Sequence, residues 1–322
     1  MYWIALLVPL VIVIAGLVFL VARRSPLASL EMSGEVAAAA NTGRSRWSAR
    51  LRLALLLVPI LGGVVVSLIV ASYQDADGVD GPLGRTSFLM IAPLLVTVVI
   101  ALLFAFVPRF GESRLTRMAE LGRRSPLTFV TRPASIVLVI LTFLLTIATI
   151  SFGVLAWPRD ESLFYFYGGG FAGGGGEFPG FGFGVPILVS LALLVAAVWF
   201  SLFRVAHAPR PTDVSLREAD SALRVLTSGA ILAIASFAIT VTLATVLTMA
   251  GVAFWGVADA RIDQNGAPVA LNFTAWMLAV LSHASVGLGV GFIIVAIYFL
   301  VRVISLVTRS PFSITRRGSV KA

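Results

Sequence analysis

The chain has 322 residues, of which 59% are hydrophobic and only 12% charged, about half the charged share of an ordinary soluble domain. Its mean hydropathy is +1.01, its formal net charge is +9, and it contains no Cys. These values exclude a water-soluble fold, a disulfide framework, a thiolate metal site and a thiol nucleophile.

A helix needs roughly 20 mainly apolar residues to cross about 30 Å of hydrocarbon. The first run that qualifies is 2–22. Only Met1 and Tyr2 stand ahead of its core, and the positive charge follows it at Arg23 and Arg24. A cleavable signal peptide has the opposite arrangement, so an uncleaved helix with its N-terminus outside is expected. In the connection that follows, Ser25-Pro26-Leu27 resembles a helix start with proline at the first helical position. The second run is 53–73. After it, Asp75, Asp77 and Asp80 sit in a turn-rich loop that lacks the spaced ligands and terminal Glu of a calcium loop.

The third and fourth runs are 86–107 and 133–156, joined by a basic connection in which Ser113 could cap a short helix ending at Gly122. The fourth run carries Thr142, Thr146, Thr149 and Gly153 on one face. Residues 158–183 are rich in glycine and aromatics, including Gly168–Gly170 and Gly173–Gly176. Such glycine density disfavours regular structure, so an extended or mobile loop is expected there.

The fifth run is 183–203. Before the sixth, Ser215-Leu216-Arg217-Glu218 fits a capping box, and Leu216, Ala219 and Leu223 continue at helical spacing. A short cytoplasmic helix is therefore expected ahead of the sixth run, 225–257. That run places Gly229, Ala233, Ser236, Thr240, Ala244 and Thr248 on one face. Small and hydroxylated side chains in this pattern suit close helix contact, with Gly229 and Ala233 as packing positions. Ser236 and Thr240 could instead line a weakly polar substrate path.

The seventh run, 272–301, contains Ser282-His283-Ala284-Ser285 followed by Gly287, Gly289 and Gly291. An ionisable side chain at membrane depth is a functional candidate, so His283, with Ser282 and Ser285, is a candidate ligand site. Gly287 and Gly291 form the small-residue spacing for helix contact. Asn272-Phe273-Thr274 reads as a glycosylation sequon, without meaning in a bacterium.

The seven runs contain no Asp, Glu, Lys or Arg. Alternate connections, 23–52, 108–132, 204–224 and 302–322, carry six, six, four and five Lys or Arg, twenty-one in all; the opposite ones carry only Arg85, Arg159 and Arg261. The positive-inside rule places the first set in the cytoplasm, where it faces anionic headgroups and not nucleic acid. Trp3, Trp157, Trp255 and Trp276 then fall at outer helix ends, and Trp47 and Trp199 near inner ones, the level that amphipathic rings prefer. The expected fold is an all-α bundle, one transmembrane domain over 1–322 with about seven spans, N-terminus outside and C-terminus inside. Arg accounts for 23 of the 24 basic residues, with Lys321 the remaining one, and the Arg-, Ala-, Val- and Gly-rich usage suggests a bacterial cytoplasmic membrane.

Chemistry is disfavoured by missing motifs. Retinal would need a lysine in the last span, but Lys321 lies in the tail. No phosphate-binding glycine loop, His-Glu-x-x-His or nucleophile elbow is present, and no acidic group is expected in the bundle. No enzyme activity, cofactor or metal is expected. The expected role is the membrane subunit of a transport complex energised by a partner such as an ATPase. The alternative is a scaffold, assembly or immunity-type component that binds another membrane protein.

Overall fold

A computed structural model of the protein describes residues 30–32, 85–105, 125–156, 167–168, 171–172, 178–208, 214–259, 273–308 and 312–314. The runs 2–22 and 53–73, the helix starts at Ser25 and Ser113, the acidic loop and Trp3, Trp47 and Trp157 lie outside these residues. The described chain forms strand β1 (Leu30–Met32), helices α1 (Arg85–Ala105) and α2 (Arg132–Leu155), strands β2 (Tyr167–Gly168) and β3 (Phe171–Ala172), helices α3 (Phe181–His207), α4 (Val214–Asp259) and α5 (Phe273–Thr308), and strand β4 (Phe312–Ile314). The fold is helical. Four helices contain stretches long and apolar enough to cross a membrane: 132–155, 181–207, 220–258 and 276–303, and α1 adds the shorter apolar stretch Met90–Ala105.

Each helix follows from its local sequence. Thr131 precedes α2 in an extended conformation and Pro133 occupies the first turn, where its missing N–H and fixed φ cost nothing. Gly180 precedes α3, with the Gly180 N–H donating to the Phe178 carbonyl at 2.7 Å in a tight turn. Between Val214 and Ser228 there is neither Pro nor Gly, so nothing in the backbone interrupts the first four turns. The short helix expected at 215–223 and the span expected at 225–257 are therefore one helix of 46 residues, about 69 Å at 1.5 Å per residue.

The long α4 is the centre of the bundle. Its membrane-length stretch is 78% buried, whereas those of α2 and α5 are 22% and 28% buried. It packs along α5 most extensively and also touches α1, α2 and α3. The main core joins Met90, Leu94 and Phe104 of α1, Leu141 and Leu145 of α2, Ile187 and Leu194 of α3, Ile231, Ile239 and Leu243 of α4, and Val295 and Phe299 of α5. A second cluster at one end gathers Phe178, Ala250, Phe254, Val257 and Leu278. The outward faces are equally apolar. On α2, Ile136, Ile140, Phe143, Ile147, Ile150 and Val154 are exposed, and on α5 so are Val290, Ile293, Ile294, Ile297 and Val301. Exposed apolar stripes at helical spacing would aggregate in water and are the face expected toward lipid.

Two small ribbons complete the fold. β1 pairs with β4 in parallel, Leu30 with Phe312 and Met32 with Ile314. β2 and β3 pair antiparallel, Tyr167 with Ala172 and Gly168 with Phe171. The second ribbon adds local strand pairing inside the connection expected to be extended or mobile.

Candidate functional site

The α4–α5 seam is built where glycines let two backbones approach. A Cβ on Gly251 would lie 2.6 Å from Val286 Cγ2 and 2.9 Å from the Ser282 carbonyl oxygen. A Cβ on Gly289 would collide with the Thr248 hydroxyl and lie 3.0 Å from the Ala244 carbonyl oxygen. Gly229 faces Leu306 at an ordinary 3.9 Å. These three meetings fall in one antiparallel register, so the two helices remain in contact along most of α5.

That register locates the residues singled out from the sequence. Ser282 and Ser285 are buried on α5, and Ser282 lies opposite Gly251. Ser236 and Thr240 are buried on α4. Thr240 is eleven residues from Gly251, about 16 Å along the axis at 1.5 Å per residue. The two halves of the candidate path are therefore not brought together. Ala233 is buried, Gly291 is buried and Gly287 half-buried; the α5 glycine that closely meets the α4 backbone is Gly289, between them.

Most hydroxyls are bonded within their own helix. Thr240 donates to the Ser236 carbonyl at 2.6 Å, Thr248 to Ala244 at 2.8 Å and Thr149 to Leu145 at 2.7 Å. Two reach across: Thr242 donates to the Met90 carbonyl of α1 at 3.2 Å, and the Ser201 hydroxyl of α3 is shared between the Ala101 carbonyl of α1 and the Ala197 carbonyl of its own helix, both at 2.7 Å. With no water at membrane depth, either arrangement spares a hydroxyl an unsatisfied state.

His283 is half-buried at the end of the seam shared with Trp255. Its Nδ1 is 2.6 Å from the Ala279 carbonyl one turn earlier. A carbonyl only accepts, so in the neutral ring Nδ1 carries the proton and Nε2 the lone pair. The Trp255 ring meets it edge to face at 5.1 Å. The same end is closed by Phe152, Phe178 and Phe254, whose ring centroids lie 5.6, 6.4 and 5.5 Å apart in pairs. Phe178, Pro179 and Gly180 are all buried, so the last residues of the glycine-rich connection are packed into the bundle.

The opposite end holds a site that the sequence reading missed. Arg224 is 0% exposed and Asp220 1%. Arg224 Nε donates to Asp220 Oδ2 at 2.7 Å. Its Nη1 donates to the carbonyls of Val205 at 2.9 Å and Ala206 at 3.2 Å, and its Nη2 to that of Ala208 at 3.0 Å. These carbonyls end α3, where the last turn has no intrahelical donors and the helix dipole is negative. The Phe129 ring, from the turn before α2, lies 5.5 Å from the guanidinium carbon. This corrects the expectation that no acidic group enters the bundle: Asp220 does so because its charge is matched by Arg224 one turn on. The signal is present as an Asp–Arg pair at i,i+4 flanked by Ala222, Leu223 and Leu226, but a count of charges assigns both residues to a basic connection.

Comparison with protein-family models, curated proteins and solved structures finds no match to this chain.

Proposed function

We propose that the chain is a seven-span protein of a bacterial cytoplasmic membrane that serves as a non-catalytic subunit, binding other membrane proteins through its apolar helix faces. The observation that carries this reading is the use of the polar groups in the core. Thr240, Thr248 and Thr149 are bonded to their own helices, Thr242 and Ser201 tie α1 to its neighbours, and Gly251 and Gly289 bring α4 and α5 into backbone contact. Such a core is suited to a solid body more than to a polar passage.

Seven crossings are supported by the parallel pairing of 30–32 with 312–314. Adjacent strands lie on one side of a membrane, which requires an even number of crossings between them. Five helices are described in that interval, and the uncharged run 53–73 supplies a sixth. The run 2–22 supplies the seventh. The arginine distribution supports a cytoplasmic location for both strands and an outer N-terminus. Anionic headgroups are the lipid partners of the arginine-rich side.

A transport complex driven by a separate ATPase is the second reading. The Asp220–Arg224 corner favours it, since it fixes the end of α3 to α4 on the side of the basic connections, where a cytoplasmic motor would engage. Purification of the full chain in mild detergent separates the two readings. Stoichiometric recovery with a membrane protein, weakened by polar substitutions at Phe143 and Ile147 and without solute flux in liposomes, is expected. ATP-dependent flux in the presence of a co-purified ATPase would replace the first reading with the second.

A further inference from the structure

We infer that Arg224 is a clamp that makes the ends of α2, α3 and α4 on the arginine-rich side move as one unit. Three segments converge on its guanidinium. Asp220 holds Nε from the same helix, Val205, Ala206 and Ala208 hold the Nη groups from the end of α3, and Phe129 covers the carbon from the turn that enters α2. The planar fork of arginine suits this geometry because its donors are fixed relative to one another. An ammonium on a flexible stem could not span the carboxylate and the carbonyls together.

The cost of burying this charge points to coupling. Removing a buried charge from its partners leaves polar groups unsatisfied, so any displacement of α3 from α4 at this end would strip the Arg224 Nη groups of three carbonyl partners at once. At the opposite end, the Phe152, Phe178 and Phe254 rings meet through apolar contacts, which are less directional than a charged hydrogen-bond fork. The bundle therefore has one directional, all-or-none joint at the α3–α4 corner and one deformable joint at the aromatic end. A force on the connection that leads into Phe129 reaches the central helix through Arg224.

The absence of cysteine allows this to be tested in the intact chain in native membranes. One spin-labelled cysteine pair, Thr128→Cys with Ala208→Cys, reports the clamp through its interlabel distance; a second, Ala156→Cys with Ala279→Cys, reports the aromatic end. With Arg224→Met, the displaced fraction of the first pair's distance distribution is expected to rise about tenfold, the scale of losing a buried charged hydrogen bond, while the second pair is unchanged. Phe129→Leu, which leaves the caps in place, is expected to broaden the first distribution partially and serves if Arg224→Met does not accumulate. An unchanged first distribution in both variants would make Arg224 a passive cap. Equal change at both pairs would make it a general determinant of the fold. Either result overturns the clamp.

Discussion

Trp255 of α4 and His283 of α5 meet edge to face, with ring centroids 5.1 Å apart and planes inclined at 82°. The contact joins an imidazole at one end of the seam to a tryptophan that is otherwise half exposed, and with the Ala279 carbonyl on Nδ1 it gives the histidine a packing role. His283→Ala should lower the melting midpoint in detergent by about 3 °C, the scale of an aromatic pair worth roughly 1 kcal/mol. His283→Phe should recover most of that loss. An unchanged midpoint together with lost partner binding would instead assign His283 to a ligand site.

The glycines of the seam are not equivalent. Gly289→Ala and Gly251→Ala force a Cβ into a neighbouring backbone and should each cost about 1–3 kcal/mol. Gly256 has nothing within 4 Å of a Cβ, and Gly256→Ala should stabilise the helix by up to about 1 kcal/mol. Thermal unfolding of the three variants side by side tests this, and equal effects at all three positions would contradict the register of α4 on α5.

Hydroxyls that cross between helices should matter more than those that do not. Thr242→Val breaks the bond to the Met90 carbonyl and should cost roughly 0.6 kcal/mol, the average for interhelical bonds in a membrane. Ser201→Ala should cost less, because its hydroxyl is shared between Ala101 and the Ala197 carbonyl of its own helix. Thr240→Val removes a bond only within α4 and should be close to neutral. Denaturation in mixed detergent provides the comparison.

The glycine-rich connection should be dispensable up to Glu177 but not beyond it. The described pairing of β2 and β3 is internal, so deletion of 168–176 should leave the helices assembled and the chain membrane-inserted. Phe178→Ala removes a fully buried ring between Phe152 and Phe254 and should cost about 3–5 kcal/mol. Gel filtration of both proteins distinguishes a trimmed loop from a loosened bundle.

Much of the helical layout was legible because lipid-length apolar runs have few other solutions. The runs 86–107, 133–156 and 183–203 correspond within a few residues to α1, α2 and α3. Packing was harder to read. A stripe of small residues on α4 marks a close contact but does not say which partner residue fills it, and the approach falls on Gly251 and Gly289 because of an antiparallel register that no local pattern encodes. Asp220 and Arg224 were obscured for a related reason. A charge count treats each residue as facing water, whereas these two face each other and the open end of α3. The pairing of 167–168 with 171–172 was missed because glycine disfavours strands.

The central position of α4 has a consequence for biogenesis. Its most extensive contacts are with α5, the helix that follows it in the chain and emerges from the ribosome later. Until α5 is synthesised, the face of α4 that bears Ala244, Thr248 and Gly251 has no mate, and the nascent bundle must keep that surface against lipid or an insertion factor. Quality control that samples the protein before α5 is made would meet an intermediate with its main seam still open.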